Sequence, residues 1–169
     1  AYAAVVSACE RGRNWQLALC VLTEMKRVGV PPNLLTYNTA ITACEKGQQW
    51  RFALALLAEA CARHLQPDVT TFSAAISSCE KSSSGHWESA IWLLSRVALA
   101  ALQPDAVAHA AAVGACARGR RWGSALEVVH WARRGGVVSN VLTLTPAIET
   151  CEKNSRMGQA LNLLECVQS

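Results

Sequence analysis

Apolar residues recur along this chain in two alternating helical registers. One is short and rich in small side chains, as in TYNTAITACEKGQQW from Thr36, where Ile41 and Cys44 recur at helical spacing. The other is leucine-rich and follows Trp50, with Ala53, Leu54, Leu56 and Leu57 on one face. The pattern predicts a pair of helices, A and B. Thr36 is expected to cap helix A through its hydroxyl. Gly47 is expected to end it in a left-handed conformation. Trp50 then opens helix B, which fades by about Arg63, and Pro67-Asp68 turns the chain onward. Pro31-Pro32 stops the helix before.

The same segment returns as TFSAAISSCEK from Thr71, AHAAAVGACARGRRW from Ala108, TLTPAIETCEK from Thr143 and a clipped AYAAVVSACERGRNW from Ala1. Cys9, Cys44, Cys79, Cys116 and Cys151 stand 35, 35, 37 and 35 residues apart. Ala18, Ala53, Ala90, Ala125 and Ala160 share one position; Leu22, Leu57, Leu94, Val129 and Leu164 share another. Trp15, Trp50, Trp87 and Trp122 hold a third, with Met157 in the last copy. A period of this length marks a stacked array, because no unit can bury its apolar face alone. The fold class is therefore all-α, a solenoid of helix-turn-helix units with a concave groove. The units are 1–33 (partial), 34–68, 69–105 with a two-residue insertion, 106–140, and 141–169 (partial). The chain starts and stops partway through a unit, as an excerpt of a longer array would.

Individual copies depart from the pattern. The insertion in Ser82–His86 is expected in the surface turn between helices A and B. Pro146 is expected in the first turn of its helix A, where a missing N–H costs nothing. Ala108 and Ala1 stand where Thr caps the other units, each an expected loss of about 1 kcal/mol.

Composition narrows the function classes. The 169 residues are 51% hydrophobic and 17% charged, the balance of a folded protein. No stretch reaches the roughly 18 apolar residues of a membrane span. The net charge of +4 permits an anionic partner. The eight cysteines form no CxxC pair and no zinc spacing with histidine. Equivalent positions in stacked helices lie about 8–10 Å apart, beyond the reach of about 7 Å that a disulfide allows. The in-register cysteines read as small buried hydrophobes of a reducing compartment. His64, His86, His109 and His130 share no unit position, so the chain offers no catalytic candidates. No cofactor, metal or small-molecule substrate is expected.

The tetratricopeptide unit has 34 residues and its own aromatic pattern. The present units close with Pro32-Asn33, Pro67-Asp68 and Pro104-Asp105, with Ser139-Asn140 a degraded copy. TYNTAI at Thr36, CEKG at Cys44 and ALALL at Ala53 together resemble the pentatricopeptide repeat, and the resemblance covers essentially the whole chain. It implies a right-handed superhelix that binds single-stranded RNA, one base per repeat, in mitochondria or plastids, within RNA processing, stability or editing. A few side chains per repeat do the reading. By that resemblance the fifth and last residues of a unit choose the base, and the second wedges between bases.

Carried onto this chain, Asn38 with Asp68 resembles a uracil-preferring pair. Ser73 with Asp105 resembles a guanine-leaning one. Ala110 with Asn140, and Ala3 with Asn33, lack a hydrogen-bonding fifth residue and should discriminate poorly. Thr145 has its partner beyond the chain. Leu35, Val107 and Leu142 are the wedge residues, with Thr70 a weaker one. Arg11, Lys46, Lys81, Arg118 and Lys153 form one basic position per unit, spaced like phosphates and implied by the resemblance to approach them. The same cations also suit helix C-termini. Their acidic neighbours Glu10, Glu45, Glu80 and Glu152 are expected to point elsewhere.

The recurring tryptophans could stack on bases, but read better as core on the convex layer. Trp92 and Trp131 are not periodic and are expected to pack locally. A different class of function remains open, a scaffold for protein partners, because helical solenoids also hold peptides and the alanine-containing pairs read no base.

Overall fold

The computed structural model describes residues 2–136, 141–153 and 158. Among them the chain forms helices and no strands: α1 Tyr2–Arg11, α2 Trp15–Arg27, α3 Leu34–Lys46, α4 Trp50–Ala62, α5 Val69–Lys81, α6 Trp87–Leu99, α7 Ala106–Arg118, α8 Trp122–Arg134 and α9 Val141–Lys153. The odd-numbered helices are the expected A helices and the even-numbered ones the B helices. Each B helix begins at its tryptophan.

The caps fall three residues earlier than the sequence suggests. Asn33, Asp68 and Asp105 are the N-cap residues of α3, α5 and α7, in extended backbone. Their side-chain oxygens accept the backbone N–H of Thr36 at 3.0 Å, Thr71 at 2.9 Å and Ala108 at 2.7 Å. Thr36 and Thr71 are buried third residues of their helices, not caps. Ala108 therefore costs no cap, because Asp105 supplies it; only the reciprocal hydroxyl is lost. The geometric reason is that an N-cap needs extended backbone, which Asn33, Asp68 and Asp105 adopt and the helical Thr36, Thr71 and Ala108 do not.

Two other expectations are corrected. Gly47 closes α3 with φ −86, an ordinary value. The left-handed residue is the next one, Gln48, with φ 58, matched by Arg13 and Arg120. Gln49 N–H then reaches back to the Cys44 carbonyl at 2.8 Å and closes the turn. Pro146 is the sixth residue of α9, inside the helix and past its first turn. Its ring removes a backbone bond that helix interiors normally make.

The A helices pack on one another in order, α1 on α3, α3 on α5, α5 on α7, α7 on α9. Each B helix sits in the groove between its own A helix and the next one, and the B helices make no comparable row among themselves. A close-packed A row and a spread B row curve the array with the A helices on its concave side. The A row tolerates this closeness because its contact residues are small: Ala40, Ala43, Cys44, Ala75, Cys79, Ala112, Ala115 and Cys116 have no exposed surface. Burial pushes the thiols of Cys44 and Cys116 up to about 12 and that of Cys79 to about 11. These cysteines are inert packing groups. One polar lock ties the outer row to the inner. Glu59 of α4 accepts from the buried Tyr37 hydroxyl at 2.9 Å and pairs with Lys26 of α2 at 2.6 Å.

Candidate nucleic-acid interface

Each A helix exposes one narrow stripe on the concave side. On α3 it runs Leu35, Asn38, Thr42, then Glu45 and Lys46; its other sides are buried. On α7 it runs Val107, Ala110, Ala117 and Arg118. The wedge candidates Leu35 and Val107 stand out of this surface, 62% and 54% exposed, an unfavourable state for an aliphatic side chain that faces only water. Thr70 is exposed beside them, and Thr145 is exposed on α9. The side chains of Ala3, Leu142 and Lys153, and the whole of Asn140, lie outside the described residues.

Capping explains how the two described candidate pairs, Asn38 with Asp68 and Ser73 with Asp105, come together. The last residue of a unit caps the next A helix, so its carboxylate is carried to the mouth of the groove beside the fifth residue of the preceding A helix. Ser73 donates its hydroxyl to Asp105 Oδ1 at 3.0 Å. In the other pair a third residue intervenes. The Thr71 hydroxyl oxygen lies 2.7 Å from Asn38 Oδ1 and 2.7 Å from Asp68 Oδ1. It also accepts the Asp68 backbone N–H at 3.2 Å. Burial alone would raise the Asp68 carboxyl, but hydrogen bonds from Thr71 and Thr70 outweigh it and hold the group below its ordinary value. Asp68 is thus an anion aimed at the groove. Ala110 brings no polar atom to the equivalent place. Asn33, the partner of Ala3, spends its side-chain oxygen on Thr36, whose hydroxyl donates to it at 2.7 Å.

The acidic neighbours of the basic residues face the same surface and do not point elsewhere. Lys46 pairs with Glu10 of the preceding A helix at 2.9 Å, and Lys81 with Glu45 at 2.6 Å. Lys46 and Lys81 therefore form a ladder across successive A helices, each holding the acid of the A helix before. Glu80 follows the register toward Arg118, though without direct pairing. Burial is the main influence on Glu80 and raises its carboxyl, against the attraction of Arg118 and Lys81. It lies against Gly114, where a β-carbon would come 2.6 Å from Glu80 Oε1. In the next register Ala117 replaces the acid. The ladder was invisible in the sequence because the partners are 36 residues apart and only the stacking register joins them.

The recurring tryptophans are half-buried, and Trp15, Trp50 and Trp87 pack against the edge of the core. They build a seam along the turns between A and B helices. Trp15 stacks on Phe52 with ring centroids 5.3 Å apart, Trp50 meets His86 at a tilt with centroids 3.7 Å apart, and the Arg121 guanidinium sits 4.5 Å from the Trp87 ring. Each reaches one helix pair forward. The insertion falls in the turn between helices A and B as expected, with Ser83 and Ser84 exposed, while its other residues join this seam. Ser82 and Gly85 are buried, and a β-carbon on Gly85 would meet Arg118 Cβ at 2.5 Å. Trp131 packs edge-on to His109, while Trp92 is 58% exposed beneath Arg96.

Comparison with known proteins agrees with this geometry. A family model described as a pentatricopeptide repeat domain matches residues 1–47. No curated protein matches the chain. The fold is that of the pentatricopeptide repeat protein PPR10 in complex with an 18-nt psaJ RNA element, at 23% identity and TM-score 0.73 over 98% of the chain. PPR10 from maize is similar at 26% identity and TM-score 0.72 over 99% of the chain. The chain spans only 24% of the length of either. The PPR domain of Arabidopsis thaliana protein-only RNase P 1, in complex with tRNA, matches at 16% identity and TM-score 0.83, over 96% of this chain and 85% of that one. The two-row helical array is thus the fold of these pentatricopeptide repeat structures, and residues 1–47 match the model of that repeat.

Proposed function

We propose that the chain binds single-stranded RNA along its concave stripe, one nucleotide per unit, with the unit division 1–33, 34–68, 69–105, 106–140 and 141–169 as the frame. The observation that carries this reading is the placement of the Asp105 cap carboxylate against Ser73, the fifth residue of the unit before, with Asp68 joined to Asn38 through Thr71. A carboxylate accepts hydrogen bonds and cannot donate them. It fits the ring N–H that uracil and guanine carry and that cytosine and adenine lack. Asn38 with Asp68 then takes uracil, and Ser73 with Asp105 takes guanine. Ala110 and Ala3 leave their units without choice, and Thr145 reads only with a partner from beyond the chain. Leu35, Val107 and, more weakly, Thr70 slide between bases, and Leu142 takes the same part in the last unit.

The basic residues Arg11, Lys46, Lys81, Arg118 and Lys153 approach phosphates, Lys46 and Lys81 in exchange for Glu10 and Glu45. RNA complexes of PPR10 and of the RNase P 1 domain support the general reading. The setting is organelle RNA processing, stability or editing, in a mitochondrion or plastid, and this segment acts as a binding module. A protein-binding scaffold is the second reading, favoured by the internal pairing of Lys46 and Lys81.

The test is retention of a randomised single-stranded RNA pool at two salt concentrations, followed by sequencing. Enrichment of a U-G step that shifts when Asn38→Thr is introduced supports base reading. Salt-sensitive retention without enrichment reduces the role to backbone binding. No retention at low salt overturns the RNA reading in favour of the scaffold.

A further inference from the structure

Thr71 is buried, yet its hydroxyl sits at the centre of the first reading pair. Its oxygen is 2.7 Å from both Asn38 Oδ1 and Asp68 Oδ1 and accepts the Asp68 N–H at 3.2 Å. A hydroxyl has one proton and two lone pairs. The proton goes to the carboxylate, the stronger acceptor because it is charged. One lone pair takes the Asp68 N–H. What remains for Asn38 is a lone pair, which calls for a donor. A carbonyl oxygen 2.7 Å away would face it with no proton between. The oxygen and nitrogen of an asparagine amide are nearly identical in shape and are assigned from their partners. Turning the amide over satisfies every group: Nδ2 donates to Thr71, and Oδ1 faces the groove.

Building on the base-reading function above, we propose that Thr71 is a positioning residue that sets specificity. It holds the Asn38 amide with Oδ1 toward the RNA and so selects uracil over cytosine. Uracil carries a hydrogen on N3, which Oδ1 and the Asp68 carboxylate accept together. Cytosine carries a bare lone pair there, which Oδ1 repels. The reverse orientation would present the NH2 group and welcome cytosine instead. A hydroxyl that does not touch the base thus adds the Asn38 amide to the Asp68 carboxylate in the choice between two pyrimidines of equal size. The next pair lacks this device, because Ala108 stands at the position of Thr71 and Ser73 meets Asp105 directly.

Three variants of the full chain test the proposal: Thr71→Val, which keeps the shape, Thr71→Ala, and Thr71→Ser, which restores the hydroxyl. The probes are short oligoadenylates carrying a central U-G or C-G step. Wild type and Thr71→Ser should prefer U-G. Thr71→Val and Thr71→Ala should lose about threefold to tenfold of that preference, the value of one hydrogen bond. An unchanged U to C ratio in a folded variant overturns the selection. Loss of affinity for both probes alike would assign Thr71 a merely structural role and overturn it too.

Proton exchange of the Asn38 side-chain amide, read by NMR on the free chain, decides the orientation without RNA. Exchange slowed in wild type and Thr71→Ser, and fast in Thr71→Val, supports Nδ2 on Thr71. Fast exchange in wild type overturns it. Wild type that binds neither probe overturns the base-reading function and with it the selection, while the exchange pattern still answers for Asn38.

Discussion

The indole of Trp15 occupies the space above Gly47, where a β-carbon would lie 2.3 Å from Trp15 Cδ1. Trp87 stands over Gly119 in the same way, at 2.6 Å. Gly47 and Gly119 are therefore there for the neighbour and not for their own backbone angles. Trp15, Trp50 and Trp87 each rest on the turn of the next helix pair, where they limit how closely successive pairs stack.

Gly47→Ala should destabilise the chain by about 1–3 kcal/mol, the cost of overpacking a close contact. Gly12 is the matched control, because a β-carbon there would meet only its own helix at 3.4 Å. Gly12→Ala should shift stability by no more than about 0.5 kcal/mol. Thermal unfolding of the two variants decides it. Equal effects would mean that the seam does not hold the pairs together.

Asn33 and Asp105 serve as helix caps, whatever else they do. Asn33→Ala should cost about 1 kcal/mol through the freed N–H of Thr36. Thr36→Val, which removes only a hydroxyl, should cost less. Urea unfolding gives both values, and a larger loss at Thr36 would return the cap to the position the sequence suggested.

Asp68 and Glu80 predict opposite responses to acid. The Asp68 carboxyl is held below its ordinary 3.8, so its stabilisation is present above that value and is lost as pH falls through the folded one. The Glu80 carboxyl is raised above its ordinary 4.5, so its ionised form costs stability at neutral pH. That cost is relieved as pH falls through the raised value toward 4.5. Glu80→Gln should raise the melting temperature at pH 7 and remove the gain on mild acidification. A lower melting temperature at pH 7 would show that attraction to Arg118 and Lys81 outweighs burial.

The ladder predicts that acids restrain RNA binding. Glu10→Gln with Glu45→Gln frees Lys46 and Lys81 and should tighten retention of a single-stranded RNA. It should also steepen the salt dependence by up to about 0.7 per phosphate gained. Affinity measured at several salt concentrations reads this directly. An unchanged slope would place Lys46 and Lys81 outside the RNA contact.

The helices themselves were legible from their periodicity, and so was the stacking, because units of this size cannot bury an apolar face alone. Trp50 as the start of helix B and Cys44 as a packing residue were legible for the same reason. The sequence by itself determined these features, since each depends on residues within one turn or one unit. What it left out depends on the register between units. The cap passed from Thr36 to Asn33 because extended backbone, not the hydroxyl alone, makes a cap. The purpose of Gly47 became visible only with Trp15 above it. Glu45 meets Lys81, and Thr71 meets Asn38, only where one helix lies beside the next. Contacts across the stack have no local signature, because the distance that creates them is set by packing. The tertiary structure alone decided which charges are already paired and which atoms the groove presents.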